Sequence, residues 1–330
     1  MSSTQIITVE EDDEDVRLDR WFKKHFPQIT HSRLQKWLRT GQIRVDGGRV
    51  RSGYRVKYGE MVRIPPLETD SFSLKKSPRG TRSRVDLSIT RELQKSILYR
   101  DNEIIILNKP AGLSVQGGSG VREHLDKYLP ELRFEYSQRP KLVHRLDKDT
   151  SGGIILARTD QAARWLTKAF RERKIRKVYW AVTVGVPEVD TGEINANLIT
   201  GQNKHFEKSI LIENGDGQTA LTRYATVACA SKLVSWLVLE PFTGRKHQLR
   251  VHTSSILGTP ILGDGKYGGK LAFLQTDAVS RQLHLHARGV LLTKPSGEKI
   301  EVYADIPDHI EKTFQFFGFE KGQCNFTFLN

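Results

Sequence analysis

The chain is poor in cysteine and has no long run of apolar residues. Its two cysteines, Cys229 and Cys324, are too few for a disulfide framework or for a structural zinc site. No apolar stretch approaches the roughly 20 residues that cross a bilayer. The first fifteen residues lack the basic and apolar segments of a secretory signal. We therefore expect a cytoplasmic protein that works without a membrane.

The short motifs that bind metals and nucleotides are also missing. His247 and His252 are five residues apart, and no His-Glu-x-x-His sequence occurs. His284 and His286 have no third ligand nearby in the sequence. The glycine-rich run 117–120 lacks the Gly-Lys-Ser/Thr of a phosphate-binding loop. These absences predict no metal site and no cofactor, and the lack of a heptad pattern predicts a monomer.

Positive charge is abundant and unevenly spread. The formal net charge is +14. Residues 10–15 hold six acids and no cation, whereas residues 17–66 hold 13 Lys and Arg against three acids. Such clustering favours a polyanionic partner. An ordinary solubilising surface is the alternative, and an anionic membrane is a weaker one because the cations do not follow one long amphipathic helix.

The residue patterns divide the chain into four parts. Residues 1–15 are predicted to be an acidic tail. Residues 16–66 combine two stretches with helical apolar spacing and two alternating strands, which predicts a small folded module. Residues 67–90 are rich in Pro, Gly, Ser and basic residues and predict a flexible basic linker that can touch a polyanionic partner. Residues 91–330 predict a larger domain.

The larger domain has the pattern of an α+β fold. Residues 97–100 and 104–107 are predicted strands, and residues 160–173 are a predicted helix. Helical stretches are separated by many strands and turns, without a regular βαβ rhythm. This favours a mixed, mostly antiparallel sheet with a central cleft.

The most informative run is His144-Arg145-Leu146-Asp147-Lys148-Asp149-Thr150-Ser151-Gly152. It places a carboxylate at a turn just before the apolar strand 153–157, where a rigid scaffold can aim it into a cleft. A turn carboxylate usually only binds its own backbone. The pattern alone therefore shows that Asp147 can be presented, and no more.

The whole run resembles the catalytic sequence of the RluA-type pseudouridine synthases. Further segments resemble the same family in the same order, namely 108–112, 177–182, 243–252 and 261–268. Residues 16–66 resemble an S4 RNA-binding domain, through Arg17-Leu18-Asp19 and Gly41-Gln42-Ile43-Arg44-Val45-Asp46-Gly47 among others. The resemblance implies an RNA-modifying isomerase without a cofactor.

The resemblance assigns catalysis to Asp147, Tyr179 and Arg250. Asp147 is the implied reacting carboxylate, and attack on C1′, attack on uracil C6 and removal of a ribose proton all remain open. Arg250 is its implied salt-bridge partner, for which Arg suits better than Lys because it grips a carboxylate through two nitrogens.

Tyr179 lies in a predicted strand whose residues alternate between two faces. Val178, Trp180 and Val182 are expected to face the core, so Tyr179 is expected on the opposite face, which carries smaller residues. By resemblance it packs on the target uracil and accepts the C5 proton. The alternative is an aromatic residue of the core.

Several residues are assigned to RNA. Arg145 is expected to fill the gap left by a flipped uridine, with a phosphate contact as the alternative. In the first module one helical stripe is expected to contact phosphates and dock the RNA. The remaining assignments are His144, Arg245 and Gln248 near the site, and Arg33, Lys36 and Arg39 on the stripe.

The expected substrate is large-subunit ribosomal RNA or its assembly intermediates, because the segments look most like the RluC-like members of the family. Gln116 departs from this pattern, since a His before the glycines is more familiar. The alternatives are another ribosomal or transfer RNA site, a non-catalytic S4-type assembly protein, and a hydrolase that uses Asp147 with water.

Overall fold

A computed structural model describes residues 4–66, 86–118, 120–201, 208–212 and 217–324. The chain divides into two compact units, residues 1–83 and 84–330. Much of the predicted linker, including its cluster of basic residues from 75 to 84, lies outside the described residues. Residues 87–90, at its predicted end, are the start of a helix.

The first unit is a three-stranded sheet with two helices. The strands β1, β2 and β3 form an antiparallel sheet in the order β1-β3-β2. The apolar faces of the helices pack on it, with Trp21, Phe22 and Trp37 in the core. The predicted helices and the second predicted strand are present, and the first predicted strand is reduced to two residues. The bounds are β1 Gln5–Thr8, α1 Leu18–His25, α2 His31–Arg39, β2 Arg44–Val45 and β3 Met61–Ile64.

The acidic segment is not a tail over its described part, residues 4–15. Strand β1 pairs with β3, and Asp13 is buried against the end of α1. The Asp13 carboxylate accepts hydrogen bonds from Lys24 Nζ and His25 Nε2, both at 2.5 Å. Burial works against ionisation of Asp13, but these two partners outweigh it and lower its pKa. The prediction was wrong because the partners of the acids are remote in sequence.

The second unit is built on one eleven-stranded sheet, in agreement with the predicted α+β class. Nine strands follow the order β10-β9-β11-β12-β8-β13-β7-β5-β4, while β14 pairs with β13 and β6 pairs with β7. All pairs are antiparallel except β7 with β13. The strands are β4 Ile97–Arg100, β5 Ile104–Lys109, β6 Lys141–Leu142, β7 Ser151–Ala157, β8 Arg176–Val184, β9 Thr191–Thr200, β10 Ser209–Ile212, β11 Gln218–Ala230, β12 Val234–Pro241, β13 Leu285–Thr293 and β14 Lys299–Tyr303.

Short helices cover this sheet. Helix α5 has a strongly one-sided apolar pattern, is capped by the Thr159 side chain and packs on β7. Helix α6 continues directly into a π-helix over His252–Ile256. The helices are α3 Leu87–Lys95, α4 Leu125–Tyr128, α5 Asp160–Arg171, α6 Gln248–Val251 and α7 Asp308–Phe317.

Both faces of the central strand β8 are buried. Trp180 packs with Trp236 and Phe314 on one face, while Tyr179 belongs to a second apolar core on the other. The expectation of one core face and one open face is therefore too simple. A strand in the middle of a wide sheet with layers on both sides is covered on both.

Gly152 lies where β7 meets β13. Its φ is +110°, and a Cβ at this position would lie 2.3 Å from the carbonyl oxygen of Ala287. Only glycine fits both the conformation and the close approach. Gly152 follows the Asp147 turn by a few residues. This close approach of the two paired strands therefore fixes the point at which the turn leaves the sheet.

Candidate active site

Asp147 stands in the turn between β6 and β7, at the wall of a cavity of about 710 Å³. The Thr150 amide donates to the Asp147 carbonyl at 3.2 Å and closes the turn. Three aromatic and four aliphatic side chains supply the apolar part of the cavity wall. They are Phe170, Tyr179, Phe242, Leu146, Ile175, Leu249 and Leu285.

His144 fastens the turn to β7. Its Nε2 accepts a hydrogen bond of 2.8 Å from the Ile155 amide, and its ring lies 4.5 Å from that of Phe170. Burial, helped by the charge of Lys177, lowers the pKa of His144 to about 3, so the ring stays neutral and can accept. The ring lines the cavity, but its described hydrogen bond is structural.

Lys109 holds the turn from the other side. It is fully buried, and its ammonium donates to the carbonyl oxygens of Pro110, Leu113 and Lys148. Burial lowers the pKa of Lys109 to about 7, against the charges of Asp149 and Asp147. Three carbonyls converging on one ammonium join the end of β5 to the Asp147 turn.

Burial dominates the electrostatics of Asp147. It raises the pKa of this carboxyl, although nearby cations favour the ionised form. The strongest of them is Arg250, followed by Arg145, Lys246 and Lys109. A carboxylate with a raised pKa inside a cation-lined cavity is typical of a reacting group.

Arg250 has a different partner from the one expected. Its Nε and one terminal nitrogen bind the two carboxylate oxygens of Asp264 at 2.8 and 2.6 Å, and both side chains are buried. The predicted salt bridge to Asp147 is therefore wrong in its geometry. Arg250 lines the cavity and acts on Asp147 through its charge, while Asp264 fixes its position.

Tyr179 faces the same cavity as Asp147. It is 9% exposed, and burial raises its pKa with a smaller contribution from Asp147. The hydroxyl therefore stays protonated at neutral pH. The structure brings these two sequence-predicted residues together from β8 and from the turn before β7.

Gln248 is committed to hydrogen bonds with its own loop and with strand β11. Its amide oxygen accepts from Thr243 Oγ1 and from the Arg245 amide, and its Nε2 donates to the Leu221 carbonyl and to Thr222 Oγ1. These four bonds use the hydrogen-bonding capacity of the amide group. The predicted RNA contact of Gln248 is therefore replaced by a structural role.

The other RNA-assigned residues fall in two places. Arg145 is exposed and lines the cavity, and Arg245 lines it while its Nε donates to the Thr219 carbonyl. In the first unit Lys36 and Arg39 are exposed on α2. Arg33 is half-buried and lies over the Trp37 ring at 4.9 Å.

A second cavity, of about 610 Å³, meets the first at Asp147. The two share six wall residues, and its own wall adds the loop 114–118 and segments around Gly263. Both walls are rich in Lys and Arg, and the second differs from the first in having no Phe, Tyr or Trp among its described residues; it carries five cations and four glycines. These are Arg145, Lys148, Lys246, Arg250, Lys266, Gly117, Gly118, Gly263 and Gly265.

Sequence reasoning missed four residues of this site, namely Lys109, His247, Asp264 and Tyr267. His247 Nε2 is 3.8 Å from Asp147 Oδ1, and its Nδ1 is 2.6 Å from Tyr267 Oη. All four stand inside the segments that carried the family resemblance. The signal was present, but only the fold shows which side chain meets which.

No metal or membrane-spanning element emerges from the described ranges. In these ranges no three His, Cys, Asp or Glu side chains are grouped as metal ligands would be. Nor does any helix of the described chain have the length and apolarity needed to cross a bilayer.

Known families match both units. Residues 103–255 match the family described as RNA pseudouridylate synthase, and residues 16–62 match the S4 domain. The solved structure titled human RNA pseudouridylate synthase domain containing 4 has a TM-score of 0.59 and 30% identity. It covers 70% of this chain and 96% of its own.

Relatives extend over almost the whole chain. A protein of Vibrio cholerae named ribosomal large subunit pseudouridine synthase C is 33% identical over 318 residues, which is 94% of this chain and 96% of the relative. A protein of the same name from Buchnera aphidicola is 36% identical over 94% of this chain and 96% of its own length.

Proposed function

The chain belongs to the RNA pseudouridylate synthase family and is a pseudouridine synthase, and on that premise we propose that its substrate is large-subunit ribosomal RNA. Two relatives with that substrate in their names align over 94% of the chain. The observation that carries the chemistry is the half-buried Asp147 carboxylate, which lies where a cavity with aromatic walls meets a glycine-rich one and has its pKa raised by burial.

The two cavities match the two halves of a nucleotide. The aromatic and aliphatic wall around Tyr179 suits a uracil, whose faces are apolar. The glycines and cations of the second cavity suit the sugar-phosphate chain, because phosphates favour cations and close approach of backbone amides. With the base in one and the backbone in the other, C1′ comes to Asp147.

The isomerisation breaks the N1–C1′ bond, turns the uracil and joins C5 to C1′. The C5 proton is lost and N1 gains a proton, so no oxidant or reductant is needed. Asp147 serves in its ionised form whether it attacks C1′, attacks uracil C6 or removes a ribose proton. The charge of Arg250, held in place by Asp264, supports that form.

Tyr179 and Arg145 are assigned supporting roles. The raised pKa of Tyr179 keeps its hydroxyl protonated, which favours packing on the uracil over a role as the base that removes the C5 proton. Arg145 is exposed at the rim of both cavities, where a guanidinium can stack in the space of a flipped base.

The first unit is proposed to dock the RNA. Its α2 carries Lys36 and Arg39 exposed on the surface, with Arg33 beside them over Trp37. Phosphate contacts of this kind position a protein without reading sequence. We also propose a cytoplasmic monomer, in keeping with an RNA substrate and two unpaired cysteines.

The test is tritium release from RNA transcribed with uridine labelled at C5, without added metal or nucleotide. Large-subunit RNA and transfer RNA are compared, each with the wild type and with Asp147→Asn. We expect release from large-subunit RNA by the wild type alone. Release only from transfer RNA would contradict the substrate, and equal release by Asp147→Asn would contradict the role of Asp147.

A further inference from the structure

His247 has an unfavourable backbone conformation beside the reacting carboxylate. Its φ is 54° and its ψ is 21°, in the left-handed region, directly before α6. Residues with a Cβ rarely adopt this conformation, and they keep it where the surroundings fix them, often at functional sites. The conformation places the imidazole against Asp147, with Nε2 3.8 Å from Oδ1.

A chain of hydrogen bonds sets the tautomer of His247. The Ser209 amide donates to Tyr267 Oη at 3.0 Å, and Tyr267 Oη lies 2.6 Å from His247 Nδ1. These contacts are all satisfied when the tyrosine hydroxyl donates to Nδ1. The imidazole proton is then on Nε2, the nitrogen that faces Asp147.

The imidazole is neutral in this position. Burial is the main reason that the pKa of His247 falls to about 3, and Arg250, Lys266, Lys246 and Arg145 lower it further. It therefore meets Asp147 as a directional N–H donor rather than as another cation. The surrounding cations stabilise the negative charge of Asp147. Arg250, however, directs its Nε and one terminal nitrogen to the carboxylate of Asp264 and not to Asp147.

We propose that His247, with its tautomer set by Tyr267, is a positioning residue that directs an N–H at Asp147 and orients the carboxylate toward the nucleotide. The distance of 3.8 Å is longer than a hydrogen bond. Catalytic contacts of this kind shorten when the substrate fills the site. The proposal rests on the role of Asp147 in the proposed function.

The substitutions at position 247 are chosen to fit its left-handed backbone conformation. His247→Gly removes the imidazole and adopts the left-handed conformation freely, whereas His247→Asn tolerates that conformation and keeps a short N–H donor. Tyr267→Phe removes only the hydroxyl. We expect His247→Gly to lower kcat for tritium release about tenfold, the effect of one hydrogen bond to a charged group. KM should stay within about twofold, since the proposed contact of the imidazole is with Asp147 and not with the nucleotide.

The double variant separates a positioning role from a structural one. Tyr267→Phe should lower kcat in the wild-type background and have no further effect in the His247→Gly background, because the hydroxyl acts through the imidazole. His247→Asn should recover part of the lost kcat. Equal losses of kcat from Tyr267→Phe in both backgrounds would instead show that the Tyr267 hydroxyl acts through its contact with Ser209 in strand β10 and not through His247.

Nitrogen NMR of the full chain with ¹⁵N-labelled histidine tests the tautomer without relying on activity. The His247 signals are identified by their loss in His247→Gly. We expect Nε2 to carry the proton in the wild type and a mixture of tautomers in Tyr267→Phe.

Two results would overturn the proposal, a proton on Nδ1 of His247 and an unchanged kcat in His247→Gly. If the wild type released no tritium from any RNA while Nε2 carried the proton, the substrate assignment would fail and the His247–Tyr267 geometry would be supported.

Discussion

At Asp147 the requirements of folding and of chemistry oppose each other. Burial raises the pKa of the carboxyl, so the folded protein carries an ionised group that would be better solvated in the unfolded chain. A raised pKa means that this cost is present above the folded-state pKa and disappears as the pH falls through it. The proposed reacting group is thus a source of instability at neutral pH.

We therefore expect Asp147→Asn to raise the melting temperature at pH 7, with each kcal/mol worth about 2–4 °C for a domain of 150–250 residues. The gain should shrink as the pH falls toward 4 and below, where the wild-type carboxyl is protonated. Thermal unfolding of both proteins at several pH values measures this. A destabilised Asn variant at pH 7 would show that the carboxylate holds the turn together.

The Arg250–Asp264 pair makes a second prediction at this scale. Both side chains are buried, and loss of the Asp264 charge leaves the Arg250 guanidinium without the carboxylate that binds it directly. Asp264→Asn should lower the free energy of unfolding by about 3–5 kcal/mol, the range for a broken buried pair. Denaturant titration checks this.

The exposed pair Arg223–Glu193 serves as the control, and Glu193→Gln should cost less than about 1 kcal/mol. If Asp264→Asn lowered the free energy of unfolding by as little as Glu193→Gln, Asp264 would not be the main partner of Arg250, and the expected pairing with Asp147 would be favoured.

Among the secondary-structure elements, the parallel pairing of β7 with β13 depends on Gly152. Gly152→Ala adds a Cβ 2.3 Å from the Ala287 carbonyl oxygen in addition to the strain of a positive φ. We expect a loss of more than about 4 kcal/mol, the range of clashes in a packed core. Gly297 has φ +87° with open space around it, so Gly297→Ala reports the strain alone, about 1–2 kcal/mol. Equal unfolding midpoints for the two variants would contradict the close approach.

Periodicity predicted most of these elements because it depends on neighbours in the chain. Strands β4 and β5 lie within two residues of their predicted bounds. The meeting of Tyr179 with Asp147 followed from the family resemblance. The Asp264 partner of Arg250 and the internal bonds of Gln248 could not be predicted, because they join residues from different turns and strands.

The same limit explains the acidic segment at the start of the chain. Composition alone described residues 1–15 as an acidic tail, yet Asp13 is buried against α1. Strand β1, of four residues, precedes it and pairs with β3 of the module. A count of charged residues gives the net charge of a segment. The position of that segment in the fold depends on which oppositely charged side chains it contacts.

For the whole molecule, the charge distribution predicts a salt-dependent affinity. Neutralising Lys36 and Arg39 together in the full chain should reduce the slope of log K against log salt by about 1.4–1.8, since each lost phosphate contact counts about 0.7–0.9. Binding of large-subunit RNA between low and moderate salt measures the slope.

The control is Lys232→Gln with Lys299→Gln, two exposed lysines outside α2 and both cavities. An equal change in slope for both pairs would mean that α2 has no special part in docking.

The parallel contact between β7 and β13 also sets when this enzyme becomes active. Ser151, four residues after Asp147, binds His286, which is 135 positions later in the chain. At about 5–20 residues per second of synthesis, that separation takes roughly 7–27 s. A nascent chain released from the ribosome as far as α5 has its Asp147 turn but lacks the strand that anchors it. We therefore expect the growing polypeptide to be inactive toward RNA until β13 has emerged from the ribosome.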